Sequence, residues 1–243
     1  MRNSHNIAPG KILPSRDRKG AILLTLALLL VIPQLFAVQE NEHLHYNINW
    51  PSGLNLGEAQ LRSVTKKGNL DMELTIDAGV PGFPVTDRYH ALATAGMCAI
   101  EFEKDLLHGK KKIKEITKFD AVLGVAVRET NGGGGKTESP IGPCAKDALS
   151  YLGFIREELA KGRVPSPQTI YFGGAYTIRI QHAGTQKVML PEGPVEVDKL
   201  VASVKGKASD VTFEIYIAKD RSRTPVLVKA PLAMGVFSME LVR

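Results

Sequence analysis

Cysteine and long apolar segments are both scarce in this 243-residue chain. Its two cysteines, Cys98 and Cys144, have neither a C-x-x-C spacing nor a histidine cluster beside them, which argues against a redox or zinc-binding thiol pair. The longest apolar run, residues 21–32, has twelve positions, whereas a helix needs about 18 to 20 apolar residues to span a bilayer. The sequence therefore predicts neither a metal–thiolate protein nor a membrane-spanning anchor.

The signatures of common enzyme classes are also missing. The sequence has no G-x-S-x-G nucleophile elbow and no H-E-x-x-H helix. The glycine-rich stretch 131–136 ends like a phosphate-binding loop, but Thr130 stands at the motif's first glycine and Pro140 interrupts the segment where its helix should begin. We predict a hairpin tip there. Because no acid–base or nucleophile constellation is found, an enzyme is the least favoured class, and no catalytic residue or cofactor is predicted.

Two histidines resemble half of a metal site. His43 and His45 are two residues apart, so they would lie on the same face of a strand. A metal site needs at least a third ligand, and no carboxylate or histidine has a spacing that nominates one. We therefore predict a solvated strand face here and no metal site.

The first 37 residues have the pattern of a secretory signal peptide. A basic cluster at Arg16, Arg18 and Lys19 precedes the apolar run, and we expect cleavage near Ala37. No cysteine follows the run directly, so a lipid-modified N-terminus is not expected. The mature chain, residues 38–243, is predicted to be exported to the periplasm or cell envelope without a transmembrane segment. It is long enough for a single β-rich domain.

The charge balance gives no support to a nucleic-acid-binding surface. Five of the 31 basic and one of the 25 acidic residues lie in residues 1–37, which leaves 26 against 24 and a net charge of +2. The local exception is the lysine-rich segment 110–114. This segment is typical of a hairpin flank or a blunted sheet edge, and the alternative is contact with anionic headgroups or polyanions.

Period-two alternation dominates the mature chain and predicts strands. In the first run Leu44, Tyr46 and Ile48 share one face, and similar runs recur along the chain, for example at residues 121–129. Many strands with a single helix imply a mainly β fold. We expect a large antiparallel sheet, curled or closed into a barrel-like body, with the helix packed over one opening or edge.

The one convincing helix pattern lies at about residues 146–161. Leu152, Ile155 and Leu159 recur at three- and four-residue steps and so line one face. Asp147 can cap the start of this helix and Gly162 its end.

The two cysteines are expected to form a disulfide. An exported chain with an even cysteine count usually pairs them where the compartment is oxidising. The loop from Cys98 through Cys144 has 47 residues, for which the chain-entropy model gives about 4 kcal/mol as an upper figure.

The predicted helix also resembles a known sequence family. Residues 147–156, DALSYLGFIR, are similar to the D-x-L-S-x-L-x-x-L-R signature of the bacterial family called domain of unknown function 3108. The matching signature positions are Asp147, Leu149, Ser150 and Arg156. The flanks agree, because residues 46–59 are similar to the family's opening strand pair and residues 220–241 to its closing hairpins. The resemblance therefore covers nearly all of residues 43–243.

The resemblance implies an exported envelope protein of mostly antiparallel β structure. The family has no established activity, so no functional residue is carried over. Asp147 is interpreted as a helix cap, and Arg156 could pair with it or with a carboxylate of the sheet, which favours a structural role over ligand binding. Gly153 stands where the family pattern has a large aromatic, at a cost of roughly 1 kcal/mol relative to alanine. Either another group packs closely at Gly153 or the helix is locally weak.

Two function classes stay open. The first is a binding or carrier module in which the curled sheet encloses an apolar site for a lipid or another hydrophobic molecule. The second is a structural or assembly factor that contacts an envelope protein through a sheet edge or the helix face. Contact with a membrane surface is compatible with either class. A large apolar cavity would favour the carrier, and a filled core with an exposed apolar patch would favour the assembly factor.

Overall fold

Alternating apolar and polar residues give the chain an almost uninterrupted series of strands. The computed structural model describes residues 41–80, 82–207, 210–232 and 235–242, with only the backbone of Val80 and Leu232. The predicted signal peptide and its cleavage site near Ala37 lie outside these residues. The described strands and helix are β1 (Asn41–Asn49), β2 (Asn55–Lys66), β3 (Asn69–Val80), β4 (Phe83–Thr94), β5 (Ala99–His108), β6 (Lys111–Asp120), β7 (Val125–Thr130), β8 (Gly135–Pro140), β9 (Lys146–Asp147), α1 (Ala148–Ala160), β10 (Gln168–Tyr171), β11 (Ala175–Leu190), β12 (Gly193–Lys205), β13 (Asp210–Ala218), β14 (Pro225–Leu232) and β15 (Gly235–Leu241).

All fifteen strands belong to one curled sheet. Its order is β8-β7-β6-β5-β4-β3-β2-β1-β15-β14-β13-β12-β11-β10-β9, so two meanders are joined where β1 pairs with β15. The pairs are antiparallel except the short β9–β10 pair, which is parallel. The predicted curled antiparallel sheet with one helix is thus confirmed, with this one exception.

The sheet curls until its two ends meet, but no strand pair closes it. The end strands β8 and β9 are not neighbours in the sheet. Side chains connect this seam instead, since the Tyr171 hydroxyl of β10 donates a hydrogen bond to the Pro140 carbonyl of β8 at 2.7 Å. The Tyr171 ring also packs edge-on against Phe119 of β6, with centroids 5.6 Å apart. The body is therefore barrel-like and remains open along the seam.

The inward face of the sheet is mostly apolar. Neighbouring strands pair inward residues directly, as in Tyr46 with Ala59 and Leu61 with Leu74, so the alternation in each strand points its apolar set to one side. Tyr46 is fully buried, and its hydroxyl donates a hydrogen bond to the Pro225 carbonyl at 2.8 Å. Burial raises the pKa of this hydroxyl well above its ordinary value, with a further contribution from the negative charge of Glu42.

Helix α1 crosses one end of the body, which we call the closed end. The helix lies against the β4–β5 turn at Met97, the first residues of β1 and the β13–β14 turn at Ser222. Tyr151, Ile155 and Leu159 bury its inner face against the second meander. The opposite end, where the turns 50–54 and 109–110 lie, is called the open end.

Some predicted boundaries are corrected by hydrogen bonding. The predicted strand at 121–129 begins only at Val125, because the Asp120 carboxylate accepts hydrogen bonds from the backbone N–H groups of Val122 and Leu123 and holds a turn. The predicted helix 146–161 shortens to Ala148–Ala160, since Lys146 pairs with β10. In the described residues, no helix combines the length and apolarity needed to cross a membrane.

Candidate functional site

The family signature begins with a capping box at the start of α1. Asp147 is fully buried, and its Oδ1 accepts hydrogen bonds from the backbone N–H groups of Leu149 at 2.8 Å and Ser150 at 3.0 Å. Ser150 Oγ accepts in turn from the Asp147 N–H at 2.9 Å. Burial raises the pKa of Asp147, and its hydrogen bonds to Ser150 and Leu149 act in the opposite direction. Leu149 packs into the first apolar core. These three residues start and anchor the helix.

The last signature residue, Arg156, joins the helix to both meanders. Its guanidinium makes a bidentate ion pair with Glu42 of β1, with both N–O distances 2.7 Å. Arg156 also donates hydrogen bonds to the backbone carbonyls of Ser222 and Arg223 in the β13–β14 turn, at 2.8 and 3.0 Å. Of the two partners expected from the sequence, the sheet carboxylate is the one observed, and Arg156 does not contact Asp147.

This polar chain continues across the closed end. Arg223 forms an ion pair with Asp198 of β12 at 2.9 Å, and Asp198 also receives hydrogen bonds from His182 and Thr185 of β11, both at 3.1 Å. Burial disfavours the charged form of Asp198, but these hydrogen bonds and the Arg223 charge outweigh it and lower its pKa. Groups from β1, α1, β11, β12 and the β13–β14 turn are thereby connected.

Met97 explains the glycine that departs from the family pattern. A Cβ added at Gly153 would lie 2.7 Å from the Met97 Sδ and 3.0 Å from its Cε, closer than real side chains approach. Met97 is buried in the β4–β5 turn and has a left-handed backbone, with φ of +59°. Of the two explanations considered, close packing at Gly153 is therefore correct.

The predicted disulfide is present and fixes the same corner. Cys98 and Cys144 are bonded, with their Cα atoms 4.7 Å apart. Next to the bond, the Ala99 N–H donates a hydrogen bond to the Ala145 carbonyl at 2.8 Å. The β4–β5 turn, which carries Met97, is thus tied to the segment that leads into α1. These contacts give the signature region a structural role.

Sequence reasoning missed an ionic cluster on the inward face. The Lys104 ammonium of β5 lies 2.6 Å from the Glu115 carboxylate of β6 and 4.8 Å from the centre of the Phe172 ring. Arg128 of β7 donates a hydrogen bond to the Gly173 carbonyl. Gly173 has φ of +74°, a left-handed conformation that favours glycine, and a Cβ there would crowd the Glu115 carboxylate, with Oε2 at 2.7 Å. The available clue was the position of Lys104, two residues from the apolar Phe102 on the same face.

A second inward polar group lies beside this cluster. His108 Nε2 is 2.8 and 3.1 Å from the two carboxylate oxygens of Asp87, and the Tyr89 hydroxyl donates to the same carboxylate at 3.1 Å. Burial raises the pKa of Tyr89 above its ordinary value, and the Asp87 charge adds to this. Both polar groups have internal partners, so neither presents an unpaired charge to a ligand.

The inward apolar residues differ in burial between the two ends. Near α1, Leu200 and Ala202 are fully buried, whereas farther toward the open end Val204 is only half-buried. The same holds in the first meander, where Leu61 is buried and Ile76 is half-buried. We call this half-buried surface the open groove; its apolar lining is Ile48, Leu74, Ile76, Val204, Phe213 and Val228.

The predicted histidine pair lies on the outward face. His43 Nε2 is 3.1 Å from Gln60 Oε1, and His45 Nε2 is 2.8 Å from Glu58 Oε2. His43 also lines a polar depression of about 540 Å³ together with Arg62 and Glu73. Within the described part of the chain, no three His, Cys, Asp or Glu side chains are grouped closely enough to hold a metal ion.

Taken together, these features define a class of protein: a curled β-sheet domain closed at one end by a helix and half-open at the other. A family model, described as protein of unknown function (DUF3108), matches residues 44–242, so the chain belongs to this family. No curated protein matches the chain.

Two solved structures match the chain. A beta-barrel-like protein of domain of unknown function DUF1849 from Brucella abortus has a TM-score of 0.58 and 8% identity, and the match covers 84% of this chain and 96% of that one. A protein from Bacteroides fragilis described as exported, with a YmcC-like fold, has a TM-score of 0.33 and 13% identity over 84% of this chain and 95% of that one. The first similarity supports the barrel-like architecture and assigns no activity.

Proposed function

We propose that the protein is a non-catalytic binding or carrier module that takes a lipid or another hydrophobic molecule of the cell envelope into the open groove. The observation that supports this most directly is the half-burial of inward apolar residues such as Ile76 and Val204, in contrast to the complete burial of Leu200 beside the helix. Apolar surface left partly exposed on a concave face is typical of ligand-binding sites.

The charged groups near the groove are paired with one another, so the surface that the described residues offer to a ligand carries no unpaired charge. Lys104 is paired with Glu115, and Asp87 is paired with His108 and Tyr89. Because these groups are already satisfied, binding would gain free energy mainly from burial of apolar surface, at roughly 25 cal/mol per Å². The predicted signal peptide is consistent with cargo from the cell envelope.

The alternative assembly-factor function receives less support from the sheet edges. The edge strand β8 is short and carries Lys136, Glu138 and Pro140, all of which oppose the addition of another strand. At the other edge β9 has two buried residues, Lys146 and Asp147, and continues directly into α1. The inner helix face is itself buried in the core.

Native mass spectrometry of protein purified from a bacterial periplasm, followed by solvent extraction, tests the proposal. We expect a stoichiometric lipid or other hydrophobic molecule. In parallel, a dansyl-labelled fatty acid should bind the extracted protein, and Ile76→Trp, which fills the groove, should abolish binding. Thr75→Trp is the matched control because Thr75 is adjacent on the same strand but faces outward. Empty protein that also fails to bind the probe, or equal binding by both variants, would contradict the proposal.

A further inference from the structure

The hairpin topology places seven chain turns at the open end, and five of them follow one another along the middle of its rim. In sheet order these five join β12 to β13, β14 to β15, β1 to β2, β3 to β4, and β5 to β6. The turns contact one another. Trp50 packs edge-on against Phe237 with centroids 4.8 Å apart. Two glycines also lie very close to rings of the neighbouring turns. A Cβ added at Gly235 would lie 2.6 Å from the Pro51 ring, and one added at Gly109 would lie 2.9 Å from the Phe83 ring.

The middle of this rim is apolar and exposed. Leu54, Phe83 and Val236 keep 63%, 51% and 48% of their surface accessible. The sequence has no charged residue within 48–57, 78–86 or 230–239, the segments that include the described residues of the three central turns. Large apolar side chains on adjacent turns, with no charge between them, form a surface that is costly to leave in water.

Lysines flank the apolar turns on both sides. On one side the β5–β6 turn carries Lys110, Lys111 and Lys112, directly beside the exposed Phe83. On the other side, Lys205 and Lys207 lie at the β12–β13 turn, where Lys205 forms an exposed ion pair with Asp210 at 3.5 Å. An apolar centre that contains a tryptophan and is bordered by lysines matches a bilayer surface, where aromatic rings sit at headgroup level and lysines contact anionic lipids.

We infer that this rim docks on the surface of a bilayer that contains anionic phospholipids. The opposite end has exposed apolar residues of its own, Val122, Leu123 and Met189, but they lie in or beside turns that carry the acidic Asp120 and Glu192 and no tryptophan. Docking by the rim itself requires no bound ligand, so it goes beyond the proposed function. If that function also holds, docking places the mouth of the open groove against the lipid.

Trp50 provides a site-specific readout because it is the only tryptophan in the sequence. The protein purified from the periplasm is mixed with vesicles of phosphatidylglycerol and phosphatidylethanolamine, or of phosphatidylcholine alone. We expect flotation with the anionic vesicles, quenching of Trp50 by brominated lipid in them, and weakening of both by salt. Replacing Lys110, Lys111 and Lys112 together by glutamate should weaken binding by at least about 100-fold.

Two further variants locate the contact. Leu54→Ser with Phe83→Ser should reduce binding, whereas Val122→Ser with Leu123→Ser, at the opposite end, should not. The inference is overturned if anionic vesicles do not bind, if Trp50 is not quenched, or if both serine pairs act equally. Absence of binding would leave an acidic protein surface as the remaining partner for the rim. Binding of the dansyl-labelled fatty acid by the same variants reports on the groove separately, so failure of one proposal is distinguishable from failure of the other.

Discussion

Replacing Arg156 by alanine should destabilise the protein more than any ordinary surface change. Arg156 and Glu42 keep only 17% and 7% of their side-chain surface accessible, and two charge-assisted hydrogen bonds of 2.7 Å join them. Removing one partner leaves the other as an uncompensated buried charge, which typically costs about 3–5 kcal/mol. The carbonyls of Ser222 and Arg223 lose their donor as well. In a domain of this size, that loss lowers the melting temperature by roughly 6–20 °C.

Thermal and urea unfolding of matched variants would measure the effect. Arg163→Ala is the control, because Arg163 also forms a two-bond ion pair, with Glu158, but is 61% exposed. We expect a much smaller loss of stability than for Arg156→Ala, because exposed ion pairs are solvated and contribute little. The double variant Arg156→Met with Glu42→Leu removes both charges, so it should recover a large part of the stability lost by Arg156→Ala.

Two results would refute this reasoning. One is a cost for Arg156→Ala no larger than that of Arg163→Ala, which would mean that the bidentate pair is worth no more than an exposed one. The other is a double variant that is less stable than Arg156→Ala alone, which would show that the buried charge on Glu42 is not the source of the loss.

Three other predictions concern the closed end. Thiol labelling before reduction should find no free thiol, and Cys144→Ser should lower stability by at most about 4 kcal/mol in thermal unfolding; labelling of unreduced protein would exclude the disulfide. Gly153→Ala, normally stabilising in a helix, should destabilise because its Cβ would meet Met97, and the additional change Met97→Ala should relieve this in urea unfolding. Asp198 has a lowered pKa in the folded state, so the unfolded state binds its proton first, and stability falls as the pH drops below about 4. Asp198→Asn should flatten this acid dependence; an unchanged dependence would refute the assignment.

Local features of the sequence were sufficient to predict the helix and its cap. Asp147 and Ser150 are three residues apart, and the capping box depends only on that spacing. The partner of Arg156 could not be predicted in the same way, because Glu42 is 114 residues away and many carboxylates were equally available. Gly153 shows the same limit. A glycine inside the helix pattern predicts a weak helix position, whereas its close contact with Met97 is known only from the fold.

The contacts of the inward polar groups and the layout of the open end could be predicted only with knowledge of the strand register. The apolar Phe102 and Leu106 indicate that Lys104 faces inward, but its neighbours Tyr89 and Glu115 are known only from the pairing of β5 with β4 and β6. The lysines at 110–114 were correctly predicted as a hairpin flank. Their proximity to Phe83 could not be predicted, since it depends on the pairing of β4 with β5.

The incomplete closure of the sheet explains why stability and binding should be separable. β8 ends at Pro140, which cannot donate to a further strand, and β9 has only two residues, so a continuous hydrogen-bonded barrel is not available. The disulfide, the capping box and the Arg156 ion pair instead hold the helix across one end. Because these contacts lie at the closed end, substitutions at Ile76 in the groove or Leu54 on the rim remove none of them. Such variants should therefore remain folded, and a change in their lipid binding would report on the open end itself.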